Sequence, residues 1–274
     1  MNNYKIVASD LDGTLLNNSS EVSRENFEAI SALSERGVYF VPSSGRTLYE
    51  IPEEIRNHPA VRYVIYSNGA VVFDKETGKR ITSCISRDVG KELFRILSRF
   101  EVHLTIRHAG KCLVDPEFQN ESAFDYYNLC EAHRHCITTY GVYMNSLWQY
   151  AADADGIEVL SAFFHSYEEK LACKNELEKN GKLRAVESDE FNLEIMSIDA
   201  GKGNALFALA DMLNVDIGDT VSIGDSDNDS SIMVAAGLGL AVSNASDSLK
   251  AVADEIICSN EEHVVPYVLS HYIR

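Results

Sequence analysis

Lys5-Ile6-Val7-Ala8-Ser9-Asp10-Leu11-Asp12-Gly13-Thr14 is the stretch on which the fold turns. Lys5 to Ser9 is a short strand-like run, and two aspartates follow at once, two residues apart, with Gly13 free to turn the chain. In a parallel α/β sheet ligands gather beyond the C-terminal ends of strands, so these carboxylates stand where chemistry is expected. Taken alone, D-x-D-G-T also reads as an ordinary turn, for which Asp and Gly are the commonest residues. Five residues leave both readings open.

Working outward, the first eighty residues alternate strand and helix. Ser23 to Arg36 carries Phe27, Ile30 and Leu33 at helical spacing, with Gly37 as its C-terminal cap. Val38–Val41 reads as a second strand and Leu48–Arg56 as a second helix. Tyr63–Tyr66 is a strand, and Val71–Phe73 and Arg80–Thr82 form a hairpin around Asp74–Gly78. The end of the chain resumes the alternation. Lys202–Leu213 is helical, Thr220–Ile223 a strand, Asp229–Ala236 a helix and Leu238–Val242 a strand. A helix near Ser246–Val252, a strand at Glu255–Cys258 and a helix from Glu261 follow. Repeated β-α units predict a doubly wound parallel sheet. The middle mixes helices (Asp88–Arg99, Tyr167–Lys179) with strands (His103–Arg107, Val159–Phe164), and 121–150 carries no clear pattern. We therefore expect an α/β core from residues 1–83 and 192–274, interrupted by an inserted α+β domain over 84–191.

Composition limits the partners. With 24 basic and 42 acidic side chains the net charge is −18, against a nucleic-acid or anionic-membrane binder, which shows a basic face. A small anionic substrate is compatible if a local positive charge or a metal offsets that field. No apolar run approaches the length of a membrane span or of an export signal. Six irregularly spaced cysteines without a C-x-x-C pair read as free thiols of a cytoplasmic protein.

Three further motifs stand at strand or helix ends. Gly224-Asp225-Ser226-Asp227-Asn228-Asp229 gathers acidic residues that repel one another unless a cation lies among them, and oxygen ligands of this kind suit Mg2+. An EF-hand fails here, since its sixth and twelfth positions counted from Asp225 are Ser230 and Ala236. Gly201-Lys202-Gly203 opens a helix and can present an ammonium to an anion, though a solvated lysine is the commoner fate. Pro42-Ser43-Ser44-Gly45-Arg46 follows the second strand and offers a hydroxyl and a backbone N–H, or merely a helix N-cap.

Together and in this order, the four motifs resemble the signature of the haloacid dehalogenase superfamily. Within it the chain is similar to the Cof-type sugar phosphatases with a type IIB cap, whose T-G-R and N-G-A steps are matched by Ser44-Gly45-Arg46 and Asn68-Gly69-Ala70. Ala241 to Ala245 (AVSNA) matches the stretch after the last motif. The resemblance implies a Rossmann-like core with an α+β cap. It also implies Asp10 as nucleophile and Asp12 as general acid and base. Mg2+ would be held by Asp10, the Asp12 main-chain carbonyl and Asp225. Phosphate would be bound by Ser44, Lys202, Asn228 and the amides of Leu11 and Gly45, and Asp229 would orient Lys202 or a metal-bound water. A second aspartate favours phosphate esters over halides, because halide leaves without a proton. The implied activity is Mg2+-dependent hydrolysis of small phosphorylated metabolites, sugar phosphates foremost. A phosphoryl transferase of the same fold and a non-catalytic binding module are the alternatives.

Other features are expected to be structural. Cys130-Glu131-Ala132-His133-Arg134-His135-Cys136 packs two Cys and two His into seven residues, but four zinc ligands from so short a run would strain the backbone. Asp153-Ala154-Asp155-Gly156 mimics the first motif without a strand before it and reads as a turn. Trp148 and the tyrosines at 126, 127, 140, 143 and 150 are expected to pack within the cap.

Overall fold

A computed structural model describes residues 4–273, which divide into two compact units. The first comprises residues up to Arg46, Ile51–Ile81 and the chain from Gly201 onward; the second comprises Thr47–Glu50 and Thr82–Ala200.

The first unit is built on a parallel sheet ordered Glu255–Ile256, Leu238–Ala241, Thr220–Gly224, Ile6–Ser9, Tyr39–Pro42. Ile6 faces Thr220 on one side and Tyr39 on the other, so the N-terminal strand is central and fully buried. A single parallel bridge, Ser43 to Ile65, joins this edge to the antiparallel sheet Tyr63–Tyr66, Val71–Asp74, Arg80–Thr82. Ile6, Ala8, Val41 and Ile65 pack against Leu206 and Leu209 of the helix Lys202–Leu213. Because all five strands are parallel, Asp10, Ser43 and Asp225 leave the sheet at the same edge.

Local signals hold where they are short-range. Ser23 caps the helix Arg24–Glu35 by accepting the Asn26 N–H, and Gly37 follows it at φ 72°. The expected helix Leu48–Arg56 shrinks to Glu53–Arg56. Pro52 disfavours helical backbone at the residue before it, and the Tyr49 N–H is drawn to the Gly110 carbonyl instead. The last helix, expected from Glu261, runs over Val264–His271, because His263 adopts a left-handed conformation ahead of it.

The second unit holds a six-stranded sheet: Leu183–Val186, Asn192–Ser197, Ile157–Phe164, Val102–His108, Lys111–Val114, Gly141–Tyr143. Its pairs are antiparallel except the last, which is parallel. The expected junction at 191/192 therefore moves to Ala200, since Asn192–Ser197 completes this sheet beside Ile157–Phe164. The patternless stretch 121–150 becomes the helices Glu121–Tyr126 and Glu131–Tyr140, the strand Gly141–Tyr143 and the start of the helix Leu147–Asp153. Asp153, expected in a turn, instead closes the helix Leu147–Asp153, and the chain bends over 154–156 with Gly156 at φ 85°.

Strand alternation divides Ile157–Phe164 between two apolar clusters. Leu160, Ala162 and Phe164 join Leu93, Leu97, Leu104 and Cys173, while Phe163 joins Val114, Phe124, Tyr127 and Ile137. Trp148 packs edge-on to Phe94, and Tyr127 lies against His103. Tyr143 is well exposed, so not every aromatic of this segment is spent on packing.

His103 is buried on the Phe163 face, among Phe118, Tyr127 and Phe163, and its Nε2 has no hydrogen-bond partner. Burial pushes its pKa down to about 4. The unfolded chain takes up this proton near pH 6.5 and the folded one only near pH 4, so unfolding binds a proton between those values. Stability is expected to fall by about 3 kcal/mol from pH 7 to pH 4 through this group. Denaturant titrations at both pH values should show that increment in the native chain and its absence in His103→Phe. Equal losses in the two chains would refute it.

Candidate active site

The sharp turn after the central strand is made by Asp12, in extended backbone, and Gly13, at φ 72°. A Cβ on Gly13 would lie 2.5 Å from Asp225 Oδ2, so glycine here both turns the chain and admits the Asp225 carboxylate. Asn244 Nδ2 donates to the Gly13 carbonyl at 2.8 Å and fixes the turn, and Thr14 Oγ1 donates to Asp225 Oδ1 at 3.3 Å.

Lys202, the first residue of its helix, sends Nζ between Asp10 Oδ1 (2.7 Å) and Asp229 Oδ1 (2.6 Å). The three side chains are 1%, 6% and 0% exposed. Asp229 Oδ2 accepts the backbone N–H groups of Asp225 (3.1 Å) and Ser226 (3.3 Å), so both of its oxygens are engaged. Carboxylate oxygens of Asp10, Asp225 and Asp229 all lie within 4.8 Å of one another.

The electrostatics follow from that count of charges. Burial, with Asp229 and Asp225 adding to it, pushes the Asp10 carboxyl well above the usual range, and Lys202 only partly opposes this. Asp225 is likewise raised, by burial first and Asp229 next. Lys202 stays protonated above its ordinary value: burial works against its charge, but Asp10 and Asp229 outweigh it. Three carboxylates around one ammonium leave an excess of negative charge, and an all-oxygen donor set of that kind fits a hard divalent cation.

The remaining motif residues occupy the same unit. Ser44 Oγ accepts the Arg46 N–H at 3.1 Å, which leaves its hydroxyl proton to donate, and Gly45 lies beside Asn68. Asn228 is exposed, its Oδ1 accepting from Ser226 Oγ at 2.8 Å. Leu11 is buried. The Asp12 side chain is 56% exposed and turns to Arg46, which grips both oxygens (Nη2 to Oδ1 2.7 Å, Nε to Oδ2 2.9 Å). Arg46 and Thr14 were not among the expected site residues. Arg46 was visible only as the third letter of the Ser-Gly-Arg step, and Thr14 only as the last of D-x-D-G-T.

This acidic cluster around a buried lysine, at the carboxyl ends of a parallel sheet, belongs to a chain of recognisable family. A model of haloacid dehalogenase-like hydrolases covers residues 7–269, and the chain belongs to that family. It is 31% identical to Phosphatase YwpJ of Bacillus subtilis (strain 168), over 98% of this chain and 100% of that one. It is 28% identical to 5-amino-6-(5-phospho-D-ribitylamino)uracil phosphatase YwtE of the same organism, over 98% of both. Among solved structures, one from Thermotoga maritima matches with TM-score 0.82 and 28% identity, covering 99% of this chain and 98% of that one. The chain is a phosphatase of this family, and a small phosphorylated substrate follows from that. Among the described residues no helix is long and apolar enough to cross a membrane.

Proposed function

We propose that this phosphatase is a Mg2+-dependent, Cof-type enzyme that hydrolyses phosphate monoesters of small metabolites, sugar phosphates foremost, through an aspartyl-phosphate on Asp10. The supporting observation is the buried ammonium of Lys202 held between Asp10 and Asp229, with Asp225 alongside. In this reading Asp10 is the nucleophile beside the fixed positive charge of Lys202, and the phosphoryl group would meet both.

The Asp10 carboxylate attacks phosphorus; an Asp10 O–P bond forms and the ester P–O bond breaks, the leaving oxygen taking a proton from Asp12. Asp12 then removes a proton from water, which attacks the same phosphorus and returns Asp10 as a free carboxylate. Arg46 grips both Asp12 oxygens, so Asp12 reaches the leaving oxygen only once the guanidinium releases it. Ser44, Lys202, Asn228 and the amides of Leu11 and Gly45 hold the phosphoryl oxygens. Asp229, with its oxygens committed to Lys202 and two backbone N–H groups, positions that lysine. Asp10, the Asp12 carbonyl and Asp225 would hold Mg2+, which supplies charge neutralisation among the carboxylates and on the phosphoryl group.

The relative named for a phosphorylated ribityl compound supports including sugar-alcohol phosphates with sugar phosphates in a substrate panel. Six free cysteines accord with a reducing, cytoplasmic setting. Phosphate release from p-nitrophenyl phosphate and from that panel tests the reading. Release should require Mg2+, stop with chelator and vanish in Asp10→Asn. Release that survives Asp10→Asn would remove the nucleophile, and turnover only with an added acceptor sugar would make the enzyme a transferase.

A further inference from the structure

The second unit gathers a cluster that the phosphatase reading does not use. Cys130 is the N-cap of the helix Glu131–Tyr140, and its side chain makes no capping bond. His133, one turn on, lies on the same face, and its Nδ1 is 3.2 Å from Cys130 Sγ. Asp189, from the turn between Leu183–Val186 and Asn192–Ser197, brings Oδ2 to 3.0 Å from the same Nδ1. Asp189 Oδ1 accepts the Phe191 N–H at 2.9 Å, which fixes the carboxylate with Oδ2 turned to the ring. The ring itself is held edge-on to Phe163, at 4.9 Å.

Sulfur, nitrogen and oxygen ligand atoms of these three residues therefore all lie within 4.8 Å of one another. An imidazole Nδ1 carries at most one proton, and here a thiol sulfur and a carboxylate oxygen both lie against it. Once a metal displaces the thiol proton, sulfur, nitrogen and carboxylate oxygen all present lone pairs to the same space. A cation among them satisfies all three. Tetrahedral zinc, with Zn–S of about 2.3 Å and Zn–N and Zn–O of about 2.0 Å, sets S···N near 3.5 Å and N···O near 3.3 Å. The observed separations are shorter than these by only about 0.3 Å.

We propose that Cys130, His133 and Asp189 form a zinc site, with the fourth position left to water or a second ligand. Mixed sulfur, nitrogen and carboxylate donors select Zn2+ over Mg2+, so this site and the all-oxygen cluster around Asp10 take different metals. The seven-residue run containing Cys130 fails as a four-ligand site, as its spacing predicts. Cys136 turns away to donate to Glu50 Oε1 at 3.2 Å, and His135 stands near Tyr140. Two ligands come from the run and the third from 56 residues on. A second cluster, Glu50, Cys112 and Cys136, carries no such proposal, because the buried Arg107 guanidinium already supplies positive charge to those groups.

Cobalt titration of the reduced, metal-stripped full chain tests the site. A thiolate-to-cobalt charge-transfer band should saturate at a single equivalent and be chased by Zn2+; the carboxylate cluster gives no such band. Cys130→Ser should lose the band and Asp189→Asn should weaken Co2+ binding at least about tenfold, each with an unchanged circular dichroism spectrum. Cys112→Ser with Cys136→Ser should leave the band intact. No band in the native chain, a band that survives Cys130→Ser, its loss in the Cys112/Cys136 double variant, or affinity untouched by Asp189→Asn would overturn the assignment.

Discussion

Lys202→Met is expected to slow phosphate release on the order of 10^2–10^3-fold, the effect of deleting one preorganised charge donor, and also to destabilise the fold. Lys202 Nζ is the charge that lets Asp10 and Asp229 be buried together at 2.7 and 2.6 Å. Removing it leaves two carboxylates in low dielectric without that counter-ion, which costs about 3–5 kcal/mol for a broken buried pair. The two effects separate in a second variant. Lys202→Met with Asp229→Asn removes one of the stranded charges, and Asn still accepts the backbone N–H groups of Asp225 and Ser226. Stability should return in part, and activity should not. Urea unfolding and phosphate release measure the two. Activity of the single variant within about tenfold of native would show that Lys202 does not serve the phosphoryl group.

Gly13→Ala is expected to damage cation binding more than folding. The left-handed backbone at φ 72° costs a residue with a Cβ about 1–2 kcal/mol. Beyond that, the new methyl would stand 2.5 Å from Asp225 Oδ2 and 3.0 Å from its Cγ, so the carboxylate must leave its place and its bond to Thr14. The Mg2+ concentration needed for half-maximal phosphate release should rise about 10–100-fold, the range typical of a displaced metal-site partner. Gly78→Ala is the control: it shares φ 72° but a Cβ there meets nothing within 4 Å. It should lose similar backbone stability and keep the native Mg2+ dependence. Matching Mg2+ dependence in both variants would mean that Asp225 is not a cation ligand.

What the sequence determined by itself was whatever short-range physics fixes. Strand periodicity and caps located the alternating elements of the first unit. A parallel sheet then requires its strands to end on one edge, so Asp10, Ser44 and Asp225 could be grouped before any coordinates. Where local signals conflicted, tertiary context won: the Tyr49 N–H bonds to Gly110 and the helix expected from Leu48 begins only at Glu53. Thr47–Glu50 accordingly joins the second unit, and Asn192–Ser197 completes that unit's sheet. Only the folded chain decided which charges face each other. Lys202 meets Asp10 across 192 positions, Arg46 meets Asp12 across 34, and His133 meets Asp189 across 56. Propensity and periodicity act over a few residues. Such partnerships depend on the path of the whole backbone, and a sequence pattern can nominate the ionisable group but not the one opposite it.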